Sequence, residues 1–258
     1  MGTEGDRHEP GSGPVVAQDP PARHPAAVDP AAKATLGVAR ARQPAAAQRR
    51  SFGHYYLGTI ARPRRTFDAL MADPRRLRLG LTALAVNAAL YTLVYELLTI
   101  AHGAPSSFKP WLAISSERYY RYDRLWVAAS MVGCVLLAAA VAQLLGLVFG
   151  GKGRFEDMVT MFGFATAVAC LASLAHDLPD SFLGAIGVID QHHYEALLNS
   201  PTVWRALLLT LYGASLLWFC VLYPKGVGAA QRLKALPAVA VGLTAFAVYQ
   251  GVFFVFNR

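Results

Sequence analysis

The sequence predicts an all-α integral membrane protein, a bundle of about five transmembrane helices behind a disordered N-terminal tail. Three observations carry that expectation. Of 258 residues, 55% are hydrophobic and only 16% charged, with mean hydropathy +0.35, whereas soluble domains are roughly 25% charged. Five apolar segments approach or exceed the ~20 residues that cross a hydrocarbon core of about 30 Å. The basic residues are confined, with 13 of the 24 Lys and Arg in residues 1–78 and none between Arg154 and Arg205. The net charge of +8 therefore reads as an orientation signal for loops. A nucleic-acid surface needs basic side chains along one folded face, and no nucleic-acid partner is expected.

Residues 1–52 form the tail, which contains no Phe, Trp or Tyr up to residue 50. Such a stretch buries too little apolar surface to offset the entropy of ordering it. It has no apolar core of a signal peptide, and Glu4, Asp6, Glu9, Asp19 and Asp29 argue against a transit peptide. Residues 53–78 predict an amphipathic interfacial helix. Pro63 suits a first helical position, and Phe67, Leu70 and Met71 share one face at i, i+3, i+4 spacing. Arg62, Arg64 and Arg65 stand at its start, each worth about 1 kcal/mol beside anionic headgroups.

The membrane domain covers 79–258, with spans expected at 79–101, 125–149, 158–178, 203–223 and 235–256. Asp73-Pro74 and Ser200-Pro201 pair a capping side chain with a proline ahead of spans one and four. Gly150-Gly151, Pro179, and Pro224 with Gly226 are expected to close spans two, three and four. Buried helices of a soluble protein keep a polar face, whereas spans two, four and five are apolar all round.

Eleven basic residues flank the spans on the side of the N-terminus: Arg62, Arg64, Arg65, Arg75, Arg76, Arg78, Lys152, Arg154, Lys225, Arg232 and Lys234. Five lie on the other side: Lys109, Arg118, Arg121, Arg124 and Arg258. This bias predicts a cell (plasma or inner) membrane protein with a cytoplasmic N-terminus and an extracytoplasmic C-terminus. The first outer loop, 102–124, carries Trp111, Tyr119, Tyr120 and Tyr122, rings that settle at headgroup depth. The second, 179–202, is expected to hold an interfacial or re-entrant helix.

Four polar side chains fall within spans: Asn87, Glu96, Gln143 and Gln250. Asn87, Tyr91 and Tyr95 share one face with Glu96 beside them, which suits an interhelical hydrogen-bond face or a proton or ion path. His176, Asp177, Asp180, Asp190, His192, His193 and Glu195 are ligand-type residues toward the outer side, but their spacing matches no metal site. Gly150-Gly151-Lys152-Gly153 resembles a phosphate loop but lacks the following Ser or Thr. Cys134, Cys170 and Cys220 lie in apolar runs as packing residues. No cofactor is expected. The small-residue pairs Ala129/Gly133, Gly163/Ala167, Ala238/Gly242 and Ala247/Gly251 suit close helix approach.

Longer motifs carry a resemblance. Arg62-Pro63-Arg64-Arg65-Thr66-Phe67 precedes the first span and Tyr119-Tyr120-Arg121-Tyr122 the second. Phe149-Gly150-Gly151-Lys152-Gly153-Arg154-Phe155-Glu156-Asp157 follows, leading to Gly163-Phe164. Over about residues 55–258 the chain resembles the Yip (Ypt-interacting protein) family, specifically its prokaryotic branch. Its best motif is the turn of Gly150, Gly151, Lys152, Gly153 and Phe155. The resemblance implies five spans, a cytoplasmic N-terminal region and an outward C-terminus. Eukaryotic relatives bind small Rab-type GTPases in vesicle traffic, but their Asp-Leu-Tyr-Gly-Pro motif is absent here, as is the proline many carry in span three. The family implies no catalytic residues.

The expected function is a non-enzymatic membrane-organising or partner-binding role. The implied partners are the lipid bilayer, a membrane or cytoplasmic protein, and a second copy of the chain. The alternatives are a transporter, channel or lipid-moving protein with a polar path near Asn87, Glu96 and Gln143, and a metal-dependent enzyme at the outer face.

Overall fold

The computed structural model describes residues 50–104, 115 and 118–257. The expectations for residues 1–49, Lys109, Trp111 and Arg258 fall outside these. Among the described residues, helices account for all regular structure: α1 (Phe52–Ala61), α2 (Pro63–Met71), α3 (Arg76–Ile100), α4 (Tyr119–Val148), α5 (Phe155–Ala169), α6 (Leu171–Ala185), α7 (Gln191–Asn199), α8 (Val203–Gln231) and α9 (Ala235–Phe256). By length and composition α3, α4, α8 and α9 can each cross a bilayer, and the bent pair α5–α6 passes the same test when taken together, giving four to five candidate spans. The outward surface is apolar, with Leu93, Leu144, Leu217 and Leu236 exposed, as a lipid-facing surface requires. This is a multi-pass, all-α membrane protein.

The stretch before the first span is two helices, because Pro63 lacks an N–H and drives the preceding residue out of helical geometry. Arg62 sits at φ −143°, ψ 61°. Phe67 and Leu70 on α2 are fully buried in the protein, and α2 packs on α8. Asp73 then fastens this pair to α3. It accepts from the Tyr55 hydroxyl at 3.1 Å and from the Arg75 N–H and guanidinium at 2.8–3.2 Å. The Arg75 guanidinium bond holds the Asp73 carboxyl below its ordinary value of 3.8.

Helix α5 is the centre of the bundle, with every residue from Asp157 to Ala169 buried. It meets α3 backbone to backbone. A Cβ on Gly163 would lie 2.5 Å from the Gly80 carbonyl oxygen, and one on Gly80 would lie 2.5 Å from Thr160 Cα. Of the four small-residue pairs, Gly163 and Gly242 serve such approaches, Gly242 against the Pro224 backbone, while Gly133 and Gly251 face open space.

Three expected helix boundaries are corrected. Span three bends by 51° between Ala169 and Leu171, and Pro179 lies inside α6 instead of ending it. Pro224 likewise lies inside α8, which continues to Gln231 and stops where Arg232 turns left-handed at φ 56°. A proline is tolerated in a spanning helix where neighbouring groups satisfy the backbone it frees. Ser200-Pro201 precedes α8, but the cap is Thr202, which accepts from the Arg205 N–H at 3.3 Å.

At the bend, Tyr56 of α1 donates to the Ala167 carbonyl at 3.0 Å and Ser215 of α8 to the Ala169 carbonyl at 2.7 Å. Ser173 Oγ donates to the Cys170 carbonyl at 3.0 Å and also meets the Tyr91 hydroxyl of α3 at 2.8 Å. Helices α1 and α8 thus supply partners for the Ala167 and Ala169 carbonyls, which lipid would leave bare, while the Cys170 carbonyl also accepts the Leu174 N–H at 2.9 Å.

The backbone contact at Gly163 makes it the position least tolerant of a side chain. Gly163→Leu is expected to cost 3 kcal/mol or more, roughly the upper end of overpacking, and Gly133→Leu little. Thermal unfolding of both variants in detergent checks this; equal melting points would contradict the crossing.

Candidate functional site

The polar groups collect at two ends of the bundle. At the first, the Gly150–Gly153 turn is keyed into the end of α8. Gly150 adopts φ +77°, a conformation that favours glycine. A Cβ on Gly151 would lie 2.5 Å from Gln231 Oε1, and one on Gly153 2.4 Å from the Ala230 carbonyl. Gln231, fully buried, accepts the Gly153 N–H at 3.0 Å and donates to Gln143 Oε1 at 2.6 Å. Gln143 closes the ring by donating to the Gly153 carbonyl at 2.9 Å.

The remaining N–H groups of the turn are also spent. Gly150, Gly151 and Lys152 donate to the carbonyls of Leu147, Gly146 and Gln231 at 2.8–3.1 Å. A phosphate cradle needs such groups free, so this turn is a joint between helices. Arg76 of α3 adds an ion pair to Asp157 of α5 at 2.7 Å. Lys152 and Phe155 are exposed beside it, as are Arg62, Arg64 and Arg65 on and before α2.

Sequence reasoning missed Gln231 because Pro224 put it outside the expected span. Gln143, expected within the second span, lies on α4 and takes part in the joint.

The other polar span residues are dispersed. Glu96 accepts from Arg124 of α4 at 2.8 Å through both oxygens, a half-exposed pair. Asn87 is 1% exposed, lies beside Cys170 and has no hydrogen-bond partner for either amide atom. Gln250 is half-buried on α9. Asn87 and Glu96 are nine residues apart on one helix, about 13 Å by the helical rise. No hydrogen bond among the described residues joins any two of the four.

At the second end, His176, Asp177, Tyr194 and Tyr212 form one network. His176 meets Asp177 at 3.0 Å and the Tyr194 hydroxyl at 3.1 Å, and Tyr212 donates to Asp177 at 2.8 Å. Asp190 instead caps α7, accepting the His193 N–H at 3.0 Å, and that bond lowers its carboxyl below the ordinary value. His192 and His193 are exposed. Among the described residues no three His, Cys, Asp or Glu side chains are placed to hold a metal ion.

If the turn is a joint, Gln231→Ala strands the Gly153 N–H and the Gln143 amide and costs roughly 1–3 kcal/mol. Lys152→Ala changes stability by no more than about 0.5 kcal/mol. Chemical unfolding of the two variants distinguishes a joint from a ligand loop, which would be sensitive at Lys152 instead.

A family model of the Yip1 domain matches residues 57–256, taking in the second half of α1, all of α2, the glycine turn and the apolar helices that follow. No curated protein and no solved structure gives a significant match. Sequence motifs, helical architecture and family match agree: the chain belongs to the Yip1 domain family.

Proposed function

We propose that this protein is a non-enzymatic membrane organiser that holds a protein partner at the cytoplasmic face of the cell membrane through α1 and α2. One observation carries the reading. Arg62, Arg64 and Arg65 are exposed on a helix whose opposite face, Phe67 and Leu70, is fully buried against the bundle. The charges are thus presented from a fixed platform, which lowers the entropy lost when a partner binds. An acidic surface is the complementary chemistry. Family membership also suggests protein partners.

The transporter reading has less support, because Asn87, Glu96 and Gln143 each belong to a different setting. Glu96 is tied to Arg124 and Gln143 to Gln231. An enzyme at the outer face would need His192 and His193 to join His176, and both are exposed while His176 is buried.

Two experiments test the proposal. For orientation, Cys220, the exposed cysteine, is replaced by Ser and single cysteines are placed at the exposed positions Arg50, Lys225 and His192. In intact cells an impermeant thiol reagent is expected to label only the His192 position; labelling at Arg50 with protection at His192 overturns the cytoplasmic N-terminus. For function, crosslinking with mass spectrometry in native membranes compares wild type with an Arg62→Ala, Arg64→Ala, Arg65→Ala triple variant. Crosslinks from α1–α2 to another protein should fall at least tenfold in the variant while membrane insertion is unchanged. Crosslinks that persist in the variant would count against the platform.

A further inference from the structure

A cavity of about 330 Å³ lies between α3, α6, α8 and α9, within the range of ligand sites and apart from the arginine platform. Its polar wall comes from α6, where His176, Asp177 and Asp180 all line it. Among the described residues no Lys or Arg does, and the basic side chain in the wall, His176, is paired with Asp177; Arg124, on the neighbouring α4, is already paired with Glu96. Asp177 is satisfied by Tyr212 and His176. Asp180 is less well served: among the described residues its hydrogen bonds come from Gln191, at 3.3 and 3.4 Å. Tyr249, another wall residue, is 2% exposed; its hydroxyl lies beside the Cys170 thiol and forms no well-aligned hydrogen bond among the described residues.

The rest of the wall is mainly apolar and aromatic, with Ser173, Ser215 and Gln250 among it, and part of it reaches the outside. Leu209, Leu216 and Phe254 line the cavity yet are 48%, 41% and 37% exposed. The cavity therefore opens sideways between α8 and α9, onto the surface that faces acyl chains. An acidic recess reached from the lipid side selects an amphiphile with a positive head, which the facing aromatic rings also favour.

We infer that this cavity binds a bilayer lipid with an ammonium head group. The ammonium seats on Asp180 beside the Asp177–His176 pair, and an acyl chain leaves between Leu209, Leu216 and Phe254. Gln250 in the same wall supplies a neutral hydrogen-bond donor for the lipid's phosphate or ester oxygens.

Gly213 provides the means to test this. It lines the cavity, and a Cβ added there meets nothing within 4 Å, so a side chain introduced there starts in open space. The full chain, purified in a neutral maltoside detergent, is titrated with phosphatidylethanolamine, phosphatidylglycerol or free ethanolamine and read by native mass spectrometry. One phosphatidylethanolamine is expected per chain. Phosphatidylglycerol should bind at least tenfold more weakly, and ethanolamine should not bind at the same concentrations. Gly213→Trp should abolish lipid binding at unchanged melting temperature, and Asp180→Asn should weaken it at least tenfold. Equal binding of phosphatidylglycerol would overturn the charge selection, and ethanolamine binding as tightly as the lipid would overturn the membrane as its source. Wild-type affinity in a folded Gly213→Trp would remove the cavity itself.

Discussion

Everything in this bundle depends on the backbone of one bent span being satisfied away from water. In the hydrocarbon interior an unpaired carbonyl costs several kcal/mol, so a helix bends there only where other groups take over its bonds. The bend between Ala169 and Leu171 meets that condition through Tyr56, Ser215 and Ser173. These side chains belong to α1, α8 and α6, and Tyr91 of α3 holds Ser173 in turn. The bend thus specifies where three other helices must lie. It also explains why α1, outside the spans, is drawn onto the bundle.

Close backbone approach is the second half of the same logic. Lipid tails are as apolar as leucine, so helices gain little from hiding apolar side chains from lipid, and packing must supply the association. Gly80 against Gly163, and Gly242 against Pro224, bring main chains into contact along α3–α5 and α8–α9. The glycine turn does the same between α4, α5 and the end of α8. There Gln231 and Gln143 replace the missing helix bonds, at the one place where α8 is long enough to reach the turn.

The apolar runs made the number of spans and the short helical stretch before them legible, because span length and amphipathic spacing are local properties of the chain. Gly150 was legible as a stop for a similar reason. Pro179 and Pro224 misled, since the prolines signal a helix end only when no neighbour compensates. The bend at Cys170 left no signal, because neither Gly nor Pro marks it and its cause lies in Tyr56 and Ser215, far away in sequence. The arginines were identified as a basic cluster, but the seat of α2 on α8 was not visible. The cavity wall was beyond reach for the same reason: Asp180, Gly213 and Tyr249 come together only through tertiary packing.

The polar groups also define the slab the protein occupies. On α3, Arg76 and Glu96 are twenty residues apart, about 30 Å at 1.5 Å per residue. On α4, Arg124 and Gln143 are nineteen apart, a nearly equal rise. Arg76 pairs with Asp157, Glu96 with Arg124, and Gln143 with the turn, so two polar layers stand about one hydrocarbon thickness apart. Glu96 and Gln143, each within an apolar run, thus belong to these two layers, a spacing that fits the two edges of a hydrocarbon slab. Half-exposed pairs such as Glu96–Arg124 contribute no more than about 1 kcal/mol, which suits them to setting depth rather than holding helices together. Asn87 is a polar side chain buried between the layers beside Cys170, with no well-aligned hydrogen bond among the described residues, one turn of helix from the Tyr91–Ser173 contact at the bend.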